Sequence, residues 1–115
     1  QYGGIAALTG PQEPVEEMRK AFAARRDLIH SLISAIPGIK TIRPSGAFYL
    51  FFDVASFGLD SVEFVNRLLD EEKVAGVPGD AFGAPTCVRV SYACSEEVIR
   101  TAAERIARFC ANLKK

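Results

Sequence analysis

Cys87-Val88-Arg89-Val90-Ser91-Tyr92-Ala93 alternates, and that alternation decides how the rest of the chain is read. Successive side chains of a β-strand point to opposite faces, so Val88, Val90 and Tyr92 share one face and Cys87, Arg89, Ser91 and Ala93 the other. The first face needs burial. The second carries a guanidinium at mid-strand, on the side the valines leave free. Upstream, Gly46 precedes Ala47-Phe48-Tyr49-Leu50-Phe51-Phe52-Asp53, which is apolar on both faces and reads as a central strand. Lys73 to Val77 reads as a short strand, followed by the loop Pro78-Gly79-Asp80-Ala81-Phe82-Gly83.

Helical segments separate these strands. Gln1 to Leu8 is small and apolar and reads as the tail of a helix, broken by Thr9-Gly10-Pro11. Pro14 then stands at a first helical position, with Glu13, Glu16 and Glu17 at the positive end of the helix dipole. Val15, Met18, Phe22, Ile29, Leu32, Ile33 and Ile36 follow at helical spacing until Pro37-Gly38. Such a helix is about 33 Å long at 1.5 Å per residue, more than a small sheet requires. It is expected to reach beyond its own domain. Asp60-Ser61-Val62-Glu63 resembles a capping box, with Asp60 as cap and Glu63 reaching back, and opens a helix with Phe64, Val65, Leu68 and Leu69 inward to near Glu72. Ser95 caps the last helix, whose expected buried stripe is Ile99, Ala102, Ile106, Phe109 and Leu113. Glu96 and Glu97 start it and Lys114 and Lys115 end it, as the dipole favours. The order α-β-α-β-β-α predicts an α+β two-layer domain, with a small mixed sheet and helices packed on one face.

Composition agrees with one domain. The chain has 115 residues, 49% of them apolar, enough to bury a core. Fourteen basic residues balance fourteen acidic ones, which argues against a nucleic-acid partner. No apolar run approaches the roughly 18 residues of a membrane span. The three cysteines, Cys87, Cys94 and Cys110, lack metal-ligand spacing, and a reducing, cytoplasmic setting is expected. The chain opens Gln1-Tyr2-Gly3-Gly4 and its only methionine is Met18, so it is expected to be a piece of a longer protein.

Arg89 is the sharpest candidate for chemistry. A guanidinium on a strand offers a rigid bidentate fork for a carboxylate. The alternative is a sheet-edge arginine paired with a nearby Asp or Glu. The Pro78 to Gly83 loop is either a ligand-contacting segment or an ordinary strand connection, since its glycines permit close backbone approach but match no phosphate-binding fingerprint. Phe48 and Tyr49 either place an aromatic over a ligand or belong to the core, with the Tyr49 hydroxyl then needing a partner. His30, alone on the long helix, reads as a surface or boundary residue, and Arg25-Arg26-Asp27 as a solvated patch or an interface element. No nucleophile–base pair, metal cluster or carboxylate pair stands out, so no catalytic and no metal-binding residue is assigned.

In order, Ala6-Ala7-Leu8-Thr9-Gly10-Pro11-Gln12-Glu13, Met18 to Asp27, Pro44-Ser45-Gly46-Ala47-Phe48-Tyr49, Val77-Pro78-Gly79-Asp80-Ala81-Phe82-Gly83 and Val88-Arg89-Val90-Ser91-Tyr92-Ala93 with Ser95-Glu96-Glu97 resemble the C-terminal small domain of class I and II aminotransferases, the fold-type I pyridoxal-phosphate enzymes. Each motif is weak alone; their order across the chain makes the resemblance. It implies that Arg89 binds the α-carboxylate of an amino-acid or 2-oxo-acid substrate, and that Phe48 and the loop ending at Gly83 approach the cleft. Residues 1–13 would then be a segment of interdomain helix and linker, and residues 14–115 the small domain, beginning with the long interdomain helix. Pyridoxal 5'-phosphate would be held by a large domain of the same parent chain, in a homodimer. None of Lys20, Lys40, Lys73, Lys114 or Lys115 lies in a context like the family's Schiff-base lysine, which would lie upstream of Gln1, leaving this piece inactive alone. The alternative is a stand-alone ACT-like module binding an amino acid, whose βαββαβ order the long helix does not match.

Overall fold

The computed structural model describes residues 1–114. Helix α1 spans Tyr2–Thr9 and α2 Glu13–Ser34. Strand β1 is Lys40–Thr41 and β2 Tyr49–Asp53, followed by helix α3, Ser61–Glu72. Strand β3 is Val77–Pro78, β4 is Cys87–Ser91, and α4, Glu96–Leu113, is the last described element.

The four strands lie in the order β1-β2-β4-β3, and every neighbouring pair is antiparallel. The expected α+β fold is present, but its sheet is not mixed. Strands β2 and β3, linked through α3, do run in the same direction; β4 is inserted between them, so no parallel pair touches. Two details of the strands also differ. The third strand is shorter than Lys73 to Val77, because Lys73 terminates α3 in a left-handed conformation (φ 57°) and only Val77 and Pro78 join the ladder. The two-residue β1 adds an edge that carries too short and too polar a signal to read from sequence.

Helices pack on one face of the sheet. Leu50 and Phe52 of β2 and Val88 and Val90 of β4 point into a core closed by Ile29 and Ile33 of α2, Phe64, Val65 and Leu68 of α3, and Ile99, Ile106 and Phe109 of α4. Phe64 sits at its centre, edge-on to Phe109 (5.1 Å between centroids) and to Phe52 (6.5 Å). The expected stripe of α4 is shifted slightly: Ala103 and Cys110 are fully buried, whereas Ala102 and Leu113 only flank the core.

Helices α3 and α4 start at the expected caps, although at α3 only the Asp60 half of the capping box forms. The Asp60 carboxylate accepts the Glu63 N–H at 2.8 Å, and the Ser95 hydroxyl accepts the Val98 N–H at 3.2 Å. Ser61, fully buried, ties α3 to the loop after β3 by accepting the Asp80 N–H, while the Ser61 N–H donates to the Pro85 carbonyl.

Helix α2 keeps its expected length, but its two halves differ. Ile29 and Ile33 are buried, while Val15 and Met18, placed on the same stripe by their spacing, are more than half exposed. Its first turns thus leave Val15 and Met18 largely uncovered among the described residues. The long α2 stands where the ACT-like order would need a strand, so that architecture is not adopted.

Candidate functional site

Among the described residues no α-helix packs on the sheet's other face. Alternation brings Tyr49 and Phe51 of β2 onto it, with Cys87, Arg89 and Ser91 of β4. Phe51 is directly opposite Arg89 on one side and Val77 on the other, so Arg89 sits on an interior strand with a neighbour on each flank. The sheet-edge alternative is therefore excluded. So is its acidic partner: among the described residues Arg89 forms no ion pair, although five other charged pairs are present.

Aromatic rings take the place of an acid. The Arg89 guanidinium carbon lies 4.2 Å from the centroid of the Tyr49 ring and 4.7 Å from that of Phe82. Tyr49 comes from β2 and Phe82 from the turn after β3, so the rings arrive from opposite sides of β4. Phe82 also meets Phe51 edge-on at 5.9 Å. The result is a half-buried, uncompensated cation in an apolar, aromatic setting. Such a group is costly to leave unpaired and is suited to receive an anion in its fork.

The Pro78 to Gly83 loop builds one wall of this arrangement. Gly79 packs so closely on the carbonyls of Ala84 and Cys87 that no Cβ fits there, and Gly83 closes the turn at φ 75°. That tight turn delivers Phe82 onto Arg89. The sequence leaves Tyr49 open between a ligand contact and the core, and offers Phe82 only as part of the Pro78 to Gly83 loop. The register of β2 on β4 identifies Tyr49, which lies one step diagonal to Arg89; Phe82 has only the glycines flanking its turn as a signal.

Phe48 lies at the margin. Its ring stacks on Phe22 of α2 (5.7 Å) and leans on Tyr49 (4.7 Å), so it reaches Arg89 only through Tyr49. It is neither core nor directly beside the guanidinium. The turn that carries it is anchored by Tyr92, whose N–H donates to the Phe48 carbonyl and whose hydroxyl donates to that of Ala47. The buried tyrosine that needed a hydrogen-bond partner is thus Tyr92; the Tyr49 ring lies against the guanidinium instead. Nearby, Asp27 accepts from Arg26 and Arg43, joining α2 to the segment after β1, and these guanidinium groups hold its carboxyl below the ordinary range, Arg43 contributing most.

The remaining candidates are accounted for. Cys87, Cys94 and Cys110 are free thiols, and no cluster of metal-ligating side chains occurs among the described residues. No helix among them is long and apolar enough to cross a membrane. Of the lysines, Lys73 ends α3 and donates to the Asp70 carbonyl, Lys114 lies over Phe57, Lys20 is exposed on α2, and Lys40 stands on the edge strand, while Lys115 lies outside the described residues.

With its antiparallel sheet, one helical face and one open face bearing Arg89, the chain belongs to the aminotransferases of class I and II, whose family model matches residues 1–106. That family works with pyridoxal phosphate. The chain is 52% identical, over 114 residues, to the aspartate aminotransferase of Bacillus sp. (strain YM-2), a match covering 95% of this chain and 29% of that protein. Among solved structures, the aromatic aminotransferase from Pyrococcus horikoshii OT3 superposes with a TM-score of 0.89 at 39% identity, over 94% of this chain and 30% of that one. The Thermus thermophilus aspartate aminotransferase with maleate superposes with a TM-score of 0.85 at 46% identity, over 94% and 28%. The chain thus spans about three-tenths of the length of the relatives it matches.

Proposed function

We propose that this chain is the substrate-carboxylate-binding small domain of a pyridoxal-phosphate-dependent transaminase, which moves an amino group between an amino acid and a 2-oxo acid. The observation that carries the reading is Arg89: interior to the sheet, on its helix-free face, flanked by rings and without an acidic partner. A carboxylate supplied by substrate completes that fork with two parallel N–H···O bonds. The cofactor, when bound, supplies the electron sink for the chemistry at the amino-bearing carbon. None of the chain's lysines lies in a sequence context like the family's Schiff-base lysine, so the cofactor's site is assigned to a segment of the parent outside these residues, and the isolated piece is expected to be inactive.

Residues 1–13 serve as interdomain segment and linker, and residues 14–115 as the small domain that α2 joins to the rest. The exposed Val15 and Met18 in the first turns of α2 support this division. Closure of the open sheet face over bound substrate would exclude water from the reacting centre. The parent is read as a cytoplasmic homodimer; the free thiols fit the reducing compartment. The resemblance of Phe48 to a cleft-lining aromatic is kept in an indirect role, as a prop for Tyr49.

The test is Arg89→Gln in the complete enzyme. Removing one partner of a desolvated charge pair costs ~2–5 kcal/mol, so kcat/KM falls by about 30-fold to several thousand-fold for amino acid and 2-oxo acid alike. Unchanged kcat/KM for both substrates would overturn the assignment.

A further inference from the structure

We infer that Tyr49 and Phe82 are positioning residues that hold the Arg89 guanidinium flat between two rings, so that only its edge is open and a planar carboxylate is selected over a tetrahedral anion. The inference rests on the reading of Arg89 as the substrate-carboxylate receptor and deepens it.

A guanidinium has five N–H donors, all in its plane, and two π faces. Ring centroids 4.2 and 4.7 Å from the guanidinium carbon, carried by elements that flank β4 on either side, place the rings to cover the two faces and leave the N–H rim. The ring faces are electron-rich, so they attract the cation and repel an anionic oxygen placed over them. A carboxylate lies in the guanidinium plane with both oxygens on the rim. A phosphonate can present two oxygens to the same rim, but its third oxygen leaves the plane and moves toward a ring face. Its larger negative charge would favour it at a bare arginine. A preference for the carboxylate that depends on Phe82 is therefore the mark of the rings.

Both rings are built for position rather than for core filling. Phe82 is 52% exposed, yet the turn carrying it is held by a glycine with no room for a Cβ and by the buried Ser61 hydroxyl. Tyr49 is backed in turn by Phe48 and, behind that, by Phe22 of α2. Freedom that a long arginine side chain would lose on binding is thus lost on folding.

The experiment compares 3-phenylpropionate with 2-phenylethylphosphonate, each with a single anionic group, by calorimetric titration of the complete holoenzyme. The unsubstituted protein is expected to bind the carboxylate at least about tenfold more tightly, and Phe82→Ala to narrow that ratio by about three- to tenfold. Phe82→Leu, which restores apolar bulk without a π face, should resemble Phe82→Ala, whereas Phe82→Tyr should retain the ratio. Equal binding of the two probes by the unsubstituted protein overturns the inference, as does a ratio unmoved by Phe82→Ala or rescued by Phe82→Leu. Arg89→Gln separates the two levels. Carboxylate binding that survives Arg89→Gln removes the underlying reading, whereas its loss, with a ratio insensitive to Phe82, removes only the clamp.

Discussion

The hydroxyl of Tyr92 donates a 3.0 Å hydrogen bond to the carbonyl of Ala47, 45 residues earlier in the chain. Ala47 has φ 56°, in the left-handed region that a Cβ disfavours. The bond, with the one from the Tyr92 N–H to the Phe48 carbonyl, holds a strained turn in place where β2 begins. Tyr92→Phe removes it without changing packing. The expected cost is about 1 kcal/mol in urea unfolding, the ordinary worth of a partly buried hydrogen bond. In the complete enzyme KM should rise with little change in kcat, because the turn backs Tyr49 through Phe48.

Gly79→Ala should be more damaging than its size suggests. The added Cβ would stand 2.5 Å from the Cys87 carbonyl oxygen, and that oxygen belongs to backbone at the start of β4. Relief requires the turn to move. A loss of about 1–3 kcal/mol is expected from such overpacking, together with weaker substrate binding as Phe82 shifts. Thermal unfolding and KM measured on the same variant check both. Gly46→Ala, with open space around its Cβ position, is the control that should leave stability within about 0.5 kcal/mol.

Stability at low pH should depend on Glu72. Its carboxylate takes a bidentate hydrogen bond from Arg108 of α4, and the Arg105 guanidinium donates to the Glu72 carbonyl. The Arg108 hydrogen bond is the main cause that holds the Glu72 carboxyl below its ordinary value of 4.5. A carboxyl depressed in the folded state stabilises fully above the unfolded value, and that contribution is lost as pH falls through the folded one. The unfolding midpoint should therefore exceed that of Glu72→Gln at pH 7, with the difference shrinking below pH 4.5. A constant difference between pH 7 and pH 3 would contradict this.

The three thiols should separate by reactivity. Cys110 is buried in the core, and burial pushes its pKa up to about 11, so at pH 8 only about one molecule in a thousand carries the thiolate. Iodoacetamide at pH 8 should label Cys87 and Cys94, both half-buried, well before Cys110. In concentrated urea all three should react at comparable rates, as followed by peptide mass spectrometry.

The strand Cys87–Ser91 was legible because alternation is a local property: the valines require burial, and Arg89 must then face the other way. Caps at Asp60 and Ser95 were equally local. Strand β1 was not legible, because two residues with one polar, exposed member leave no periodicity. The antiparallel pairing of the sheet was not legible either. A β-α-β order favours parallel neighbours, and nothing in the chain announces that a later strand enters between them. For the same reason the Arg89 setting remained open between an acidic partner and a ligand fork.

By itself, then, the sequence determined which face of its strand Arg89 takes, where the helices begin, and, through the order of its motifs, the family. Those are decided by side-chain periodicity and by hydrogen bonds within a few residues. Only the tertiary structure decided what surrounds the guanidinium. Tyr49 comes from 40 positions earlier in the sequence and Phe82 from 7, through a register and a turn that exist only once β4 has docked between β2 and β3. An arginine's chemistry depends on what covers its faces and what its edge can reach, and both are properties of packing.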